Sequence, residues 1–414
     1  MIADTAITET SLTGTPMAAA MITEAAQKLH KPLTLFTPCP PASDRESWEK
    51  LSEDLKARLI KNGEQYLNYE YPSLTVVDFM EFTRTGNRSR YQDRLFARRT
   101  ALDTLVLAEC VEHRGRFLDD IINGLYLICE ENAWQLPAHN SYIRDTPQFP
   151  LPDVTRPVID LFAAETASIL AVAEYLLRSE LNEVSPFLSV MIGHELETRI
   201  FTPYLEEHFW WMGDGKSHMN NWTVWCTQNV LLSAFTRPLP SETQTRILCR
   251  AARSIDYFLD EYGEDGCCDE GAQYYRHAGL CLFGCLEILN GITDHAFSFA
   301  WKQEKIRNIA SYILNVHVDS IYYVNFADCS PVAGRCNARE YLFGKRTDNR
   351  ALMEFAASDY QNSEDPLTLD EHNLFYRLQT VFSHEEMMES DRNPVIAHKD
   401  LYYESVGLFI ARGS

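Results

Sequence analysis

The sequence predicts a mainly α-helical protein, a ring or solenoid of antiparallel helical hairpins, with β-strands only towards the C-terminal end. Three observations carry that expectation. Apolar residues recur at i, i+3, i+4 spacing through most of the 414 residues, the period of a helix with one buried face. Glycine is sparse, 18 of 414 residues against a usual ~7%, which argues against a sandwich or barrel built on many tight turns. The helical segments come in consecutive pairs, and a long run of pairs must bury apolar stripes on both sides.

Segment 15–29 reads as a first helix, with Met17, Met21 and Ala25 on one face. A connector with Pro32, Pro38, Pro40 and Pro41 follows. Segment 44–62 opens on Asp44, an N-cap residue, and puts Trp48, Leu51, Leu55 and Leu59 on one side. Segments 90–112 and 114–131 form a pair turning near Gly115; the second carries Phe117, Ile121, Leu125 and Ile128. Further pairs are 153–179 with 184–208, 220–235 with 241–262, and 270–289 with 296–316. No sequence repeat of fixed period is present. Residues 322–341 are β-rich and loop-like, 361–366 are polar, and 385–394 read as a linker, most clearly in the last part. Segment 400–412 alternates like strands, and two strands do not form a stable unit alone. They either pair with an earlier segment or open a β-domain.

Composition narrows the function classes. Apolar residues at 45% and charged residues at 23% fit a globular chain with a sizeable core. Lys and Arg total 37 and Asp and Glu 59, a net charge of −22. Such a chain repels phosphate backbones, so nucleic acid is not an expected partner. An acidic substrate would need a local basic patch. No stretch reaches ~18 apolar residues without charge, so no membrane helix is expected. The eleven cysteines are scattered, mostly in apolar segments, and read as reduced, buried thiols. Residues 1–28 lack a basic start and a long apolar run. A cytoplasmic location is the expectation.

Three stretches carry candidate chemistry. In 209–229, Trp210, Trp211, Trp222 and Trp225 are four of the seven tryptophans, with His218, Asn220 and Asn221 among them. Aromatic platforms beside amides suit a sugar ring, whose face stacks while its hydroxyls or carboxylate bond the amides. The plainer alternative makes Asn220 an N-cap and the tryptophans core. In 263–279 a Gly-rich acidic turn enters a helix with Tyr274, Tyr275, Arg276 and His277. Tyrosine beside cations can move protons, because positive charge favours tyrosinate. The alternative is two packed tyrosines. His277, Cys281 and Cys285 share a stripe, but no fourth ligand lies nearby, so a metal site is weakly supported. In 134–140, His139 and Asn140 sit on a Pro-containing loop. His194 and Glu195 lack the second histidine of a zinc protease; Glu195 and Arg199 read as an i, i+4 ion pair.

In chain order the pieces are W-x-x-P-x-H-N, E-x-x-x-R followed by Pro203, W-W then N-N-W, and D-G-x-x-x-E-G-x-x-Y-Y. That order resembles the helical domain of the heparinase II/III-like polysaccharide lyases, over about 90–349. The resemblance implies an incomplete (α/α) toroid, 1–395, then a linker and the first strands of a β-sandwich domain, 396–414. It implies β-elimination at a uronic acid, of glycosaminoglycan type as a first guess, giving C4–C5 unsaturated oligosaccharides. Asn221, with Asn220 second, would neutralise the uronate carboxylate. Tyr275 or Tyr274 would move the C5 proton, and His139 matches a catalytic histidine. Trp211, Trp222, His218, Arg276 and Arg335 would contact the acidic oligosaccharide or polysaccharide. No cofactor is expected in this chain, and no metal ligand is assigned; a structural divalent metal belongs to the family's β-domain. Two other readings compete. One is a glycoside hydrolase using carboxylates among Asp265, Asp269 and Glu270, which cluster on one turn. The other is a helical carbohydrate-binding protein without chemistry.

Overall fold

The computed structural model describes residues 10–11, 20–394 and 399–412. They are mainly helical, with two small sheets. The principal helices are α1 (Ser89–Glu112), α2 (Leu118–Cys129), α3 (Leu161–Leu176), α4 (Asn221–Phe235) and α5 (Ser241–Glu261). They continue with α6 (Gly279–Ile292), α7 (Glu304–Val316), α8 (Ala338–Arg346), α9 (Arg350–Gln361) and α10 (Leu374–Met388).

Two helices are enclosed. All of α4 but Trp222 is buried, and all of α3 but Phe162 and Tyr175. A helix apolar nearly all round needs neighbours on every side. For α4 these are α3, α5 and α6. Contacts then run from α6 to α8, from α8 to α10, and from α10 back to α3. The amphipathic α5 covers this set from outside with Ile247, Leu248, Ala251, Ile255 and Leu259. Side-chain caps fix where the inner helices begin. Asp160 starts α3, Asn220 starts α4, Asn337 starts α8 with a capping box to Glu340, and Asn373 starts α10. Gly115, at φ 75°, makes the α1–α2 turn.

Several boundaries differ from the periodicity. The first helix is Met21–Gln27, and residues 15–19 lie outside the described residues. Segment 44–62 splits into Arg45–Glu49 and Glu53–Glu64, because Ser52 accepts the Leu55 N–H and starts a second helix. Residues 153–160 are loop; the helix waits for the Asp160 cap. Segment 184–208 is interrupted by a π-helical turn, Glu197–Phe201. Segment 270–289 breaks after Ala272–Tyr275, and segment 296–316 is a 3-10 turn followed by α7. The β-rich reading of 322–341 reduces to Tyr322–Tyr323, paired with His317–Asp319; α8 then begins. The linker reading fails at 385–388, where α10 continues with Met387 fully buried.

The C-terminal strands Leu401–Tyr403 and Leu408–Ile410 pair antiparallel, and Thr10–Ser11 adds a parallel strand. Their hairpin lies on the helices. Asp265 accepts the Ser405 N–H at 2.9 Å and hydroxyl at 2.8 Å. Arg412 donates to the Asn315 and His317 carbonyls, and Tyr403 packs edge-on against Tyr312. The strands therefore pair with an earlier segment of the described chain. The boundary at 395–396 lies outside the described residues.

One buried ion cluster ties the first helices together. Glu131 accepts from Arg98 at 3.0 Å and from both Arg99 terminal nitrogens at 2.6 Å, and Arg99 reaches Thr166 of α3 at 3.1 Å. Replacing Glu131 by Gln leaves two buried guanidinium groups without a counter-charge. Urea unfolding should show a loss of about 3–5 kcal/mol. A loss below about 1 kcal/mol would mean the cluster is not a structural tie.

Candidate functional site

Asn221, Trp225 and Gln228 form one stripe of α4, at i, i+4 and i+7. The Asn221 N–H points to Glu270 Oε2 at 3.4 Å, and its side-chain Oδ1 is buried with no hydrogen-bond partner. Trp225 stacks on His277, centroids 3.9 Å apart and planes 13° apart. Gln228 Nε2 donates to the Tyr376 hydroxyl at 2.7 Å. A Cβ at position 284 would overlap the Gln228 amide, so Gly284 lets that contact form. The Arg339 guanidinium lies 3.6 Å over the Tyr376 ring and points to Cys281 Sγ at 3.6 Å.

A second group forms at the start of α3. Asp160 accepts the N–H groups of Leu136, Phe162 and Ala163, and lies 2.7 Å from His139 Nδ1. A carboxylate accepts, so Nδ1 carries the proton and Nε2 is left as the basic edge. Trp222 meets His139 edge-on at 4.7 Å, Trp210 lies 5.1 Å from Trp222, and Arg144 covers Trp210 at 4.4 Å. His139, Tyr142, Arg144, Trp210, Asn220 and Trp222 line a cavity of about 260 Å³.

A larger cavity, about 660 Å³, is lined by Arg276, Arg335, Arg339, His372 and Tyr376 together with several carboxylates. Aromatic contacts link the two. Phe162 lies 6.0 Å from His139, 5.8 Å from Trp225 and 6.4 Å from His372. The two inner histidines are driven in opposite directions. Burial, then Arg339, Arg276 and His372, lowers His277 to about 3. Burial alone would lower His372 as well, but Glu165, Glu371 and Asp103 outweigh it and raise the group to about 9. Burial also raises Glu270 above the ordinary carboxylate value.

The sequence candidates separate in this geometry. Tyr275 is corrected to a core residue: it is fully buried, its hydroxyl donates to the Ala310 carbonyl at 3.3 Å, and its ring packs on Tyr312. Tyr274 is half-buried, with its ring 6.4 Å from His277. Trp211 is buried, its indole donates to the Ile159 carbonyl and Phe209 and Tyr204 stack on it, and it also lines the smaller cavity. Asn220 spends its Oδ1 on the Trp222 N–H as a cap, while lining the smaller cavity. His218 is exposed and sits between Glu261 at 2.6 Å and Asp269 at 3.7 Å, so an acidic ligand there would meet two carboxylates. Arg276 donates to the Arg335 carbonyl and lies 3.8 Å from Glu340; Arg335 pairs with Asp359 at 2.8 Å.

The alternative chemistries find less support. Asp265 is committed to the C-terminal hairpin, Glu270 faces the Asn221 backbone, and Asp269 lies 3.7 Å from His218. Among the described residues no group of three or more His, Cys, Asp or Glu side chains is arranged to hold a metal. The Cys285 thiol points to the Val224 carbonyl at 3.5 Å. Two other cavities, about 390 and 340 Å³, lie beside Glu131 and Arg199 respectively, whose charges are already paired.

Sequence reasoning missed Arg339, His372 and Tyr376. One signal was available: His372 directly precedes the capping residue Asn373, much as His218 precedes Asn220. No family model matches the chain, and no curated protein matches it in sequence.

Both inner histidines couple protonation to folding. His372 is raised from an ordinary 6.5 to about 9, so its contribution is complete below pH 6.5 and is lost as pH rises through 9. His277 is lowered from 6.5 to about 3, so its contribution is lost as pH falls from 6.5 towards 3. The melting temperature should therefore fall on both sides of neutrality. His372→Gln should flatten the alkaline limb and leave most of the acid limb, because burial and the two arginines lower His277 more than His372 does. An alkaline limb as steep as the parent's would show that His372 does not cause it.

Proposed function

We propose that this chain is a polysaccharide lyase, cleaving uronic-acid-containing glycans by β-elimination to C4–C5 unsaturated products. Glycosaminoglycan-type chains are the first substrate class to test. The observation that supports the reading is that α4 opens beside an aromatic pocket at Trp222 and His139, with the buried Asn221 amide, whose Nδ2 can donate, next in the chain to Trp222. The succession α3, α4, α6, α8 and α10 is read here as the inner wall of an incomplete (α/α) toroid. The eleven free thiols support a cytoplasmic location.

The chemistry follows from the acidity of C5. A proton next to a carboxylate is hard to remove unless the charge that develops on the carboxylate is stabilised. The Asn221 amide supplies a neutral donor there. Tyr274, beside Arg276 and His277 in sequence, takes the C5 proton. The C5–H electrons form the C4–C5 double bond, and the C4–O bond breaks towards the leaving sugar. The leaving oxygen takes a proton, with His139, oriented by Asp160, placed to relay it. No electrons enter or leave the system. The sugar face stacks on Trp222.

Ultraviolet absorbance of the conjugated enoate tests this directly on uronate-containing polymers and their oligosaccharides. Tyr274→Phe should lower turnover by a factor on the order of 10²–10⁴ with unchanged folding. Tyr275→Phe removes only a buried hydroxyl bond, so turnover should stay near the parent's. Asn221→Ala should lower kcat more than it raises KM, because its effect grows in the transition state. New reducing ends without the enoate would indicate a hydrolase, and binding with neither product a carbohydrate-binding protein.

A further inference from the structure

Arg339 has an unusual environment for a cation. It is 7% exposed, yet among the described residues no carboxylate lies within ion-pair distance of it. The neighbouring charges have their own partners. Arg276 faces Glu340, Arg335 holds Asp359, and His372 faces Glu165 at 3.5 Å. Glu340 also accepts the Asn337 N–H, and Glu371 accepts the Asn373 N–H. The side-chain contacts of the Arg339 guanidinium are the Tyr376 ring face and the Cys281 sulfur, both weak compensation for five donors. Burial disfavours its charge, and Tyr376, Cys281, Glu340 and Glu371 together outweigh that, the two carboxylates from beyond ion-pair distance. The guanidinium borders a cavity of about 660 Å³, large enough for a sugar unit.

We propose that Arg339 is the anion-receiving residue of the cleft, binding a carboxylate or sulfate oxyanion of an acidic sugar as a planar fork. Tyr376 and Cys281 position it: the ring fixes the guanidinium plane, and Gln228 in turn fixes the Tyr376 hydroxyl. This inference rests on the lyase reading for the kind of ligand, and on geometry alone for the residue.

The test measures binding without turnover. The full chain is titrated by calorimetry and by thermal shift with sodium glucuronate, with glucose 6-sulfate and with glucose, at matched ionic strength. Glucuronate, the sulfate ester, or both should bind and raise the melting temperature, and glucose should not. The responding probe identifies the oxyanion. Arg339→Gln should still fold and should abolish the response. Arg339→Lys keeps the charge but loses the fork, so its affinity should fall about tenfold or more. The proposal is overturned if the parent ignores both anions, if Arg339→Gln responds as the parent does, or if Arg339→Lys binds unchanged. It is also overturned if Arg339→Gln fails to fold while Arg339→Lys melts like the parent, since the charge then serves the fold. The enoate assay separates the two readings. Anion binding lost in Arg339→Gln, with no enoate from the parent, leaves this inference standing and removes the lyase. Enoate formed equally by parent and Arg339→Gln does the reverse.

Discussion

The burial of α4 is the constraint on which the rest depends. A helix enclosed on every side cannot leave its polar side chains to water, so its neighbours must answer them. Asn229 shows the consequence. Its amide oxygen accepts from Ser168 of α3 at 2.8 Å and from Asn373, the cap of α10, at 3.2 Å. One buried acceptor thus joins helices far apart in sequence, and Asn373 carries the link on to Glu165 at 2.9 Å. Gln228 makes a second tie to α10 through Tyr376. Leucine at either position would fill space but would not choose which helix lies opposite. The polar residues of α4 therefore select the neighbours, and the apolar ones supply the burial.

The same constraint locates the candidate site. Where the neighbours do not answer, buried polar atoms remain unpartnered: Asn221 Oδ1, Trp225 Nε1 and His277 Nδ1 all lie along one face of α4 or stacked upon it. Arg276, Arg335, Arg339 and His372 border one cavity, with Glu340, Glu364, Asp365, Asp370 and Glu371 among them. The cavity therefore mixes both signs, and its low-dielectric walls strengthen each charge that water does not reach.

Much of this was legible in the sequence, and the gaps have physical causes. Caps read well, because Asp44, Asn220 and Gly115 act through backbone bonds a few residues away. The helix pairs read well because apolar period is local. The choice between Tyr274 and Tyr275 did not, since adjacent helical residues diverge by about 100° and only tertiary packing decides which turns inward. Trp210 and Trp211 pose the same problem: both border the smaller cavity, but one lies under Arg144 and the other is buried between Phe209 and Tyr204. Arg339 and His372 escaped notice for a different reason. They reach the stripe of Trp225 only because contacts lead from α6 through α8 to α10 and back to α3, and no local pattern encodes that return.

The two halves of the candidate site differ in how the fold treats them, and that difference fits the roles proposed for them. His139 is fully provided for. The Asp160 that starts α3 also holds Nδ1, so the residue that begins a helix fixes a ring orientation and a tautomer. A group held that firmly can transfer a proton at a defined place, since no reorganisation is needed when charge moves. Arg339 is provided for less closely, with an aromatic face and a sulfur at hand and with Glu340 and Glu371 acting from beyond ion-pair distance. On the proposed reading, the group the fold holds firmly is the one that moves a proton, and the group with donors to spare is the one that receives the ligand's oxyanion.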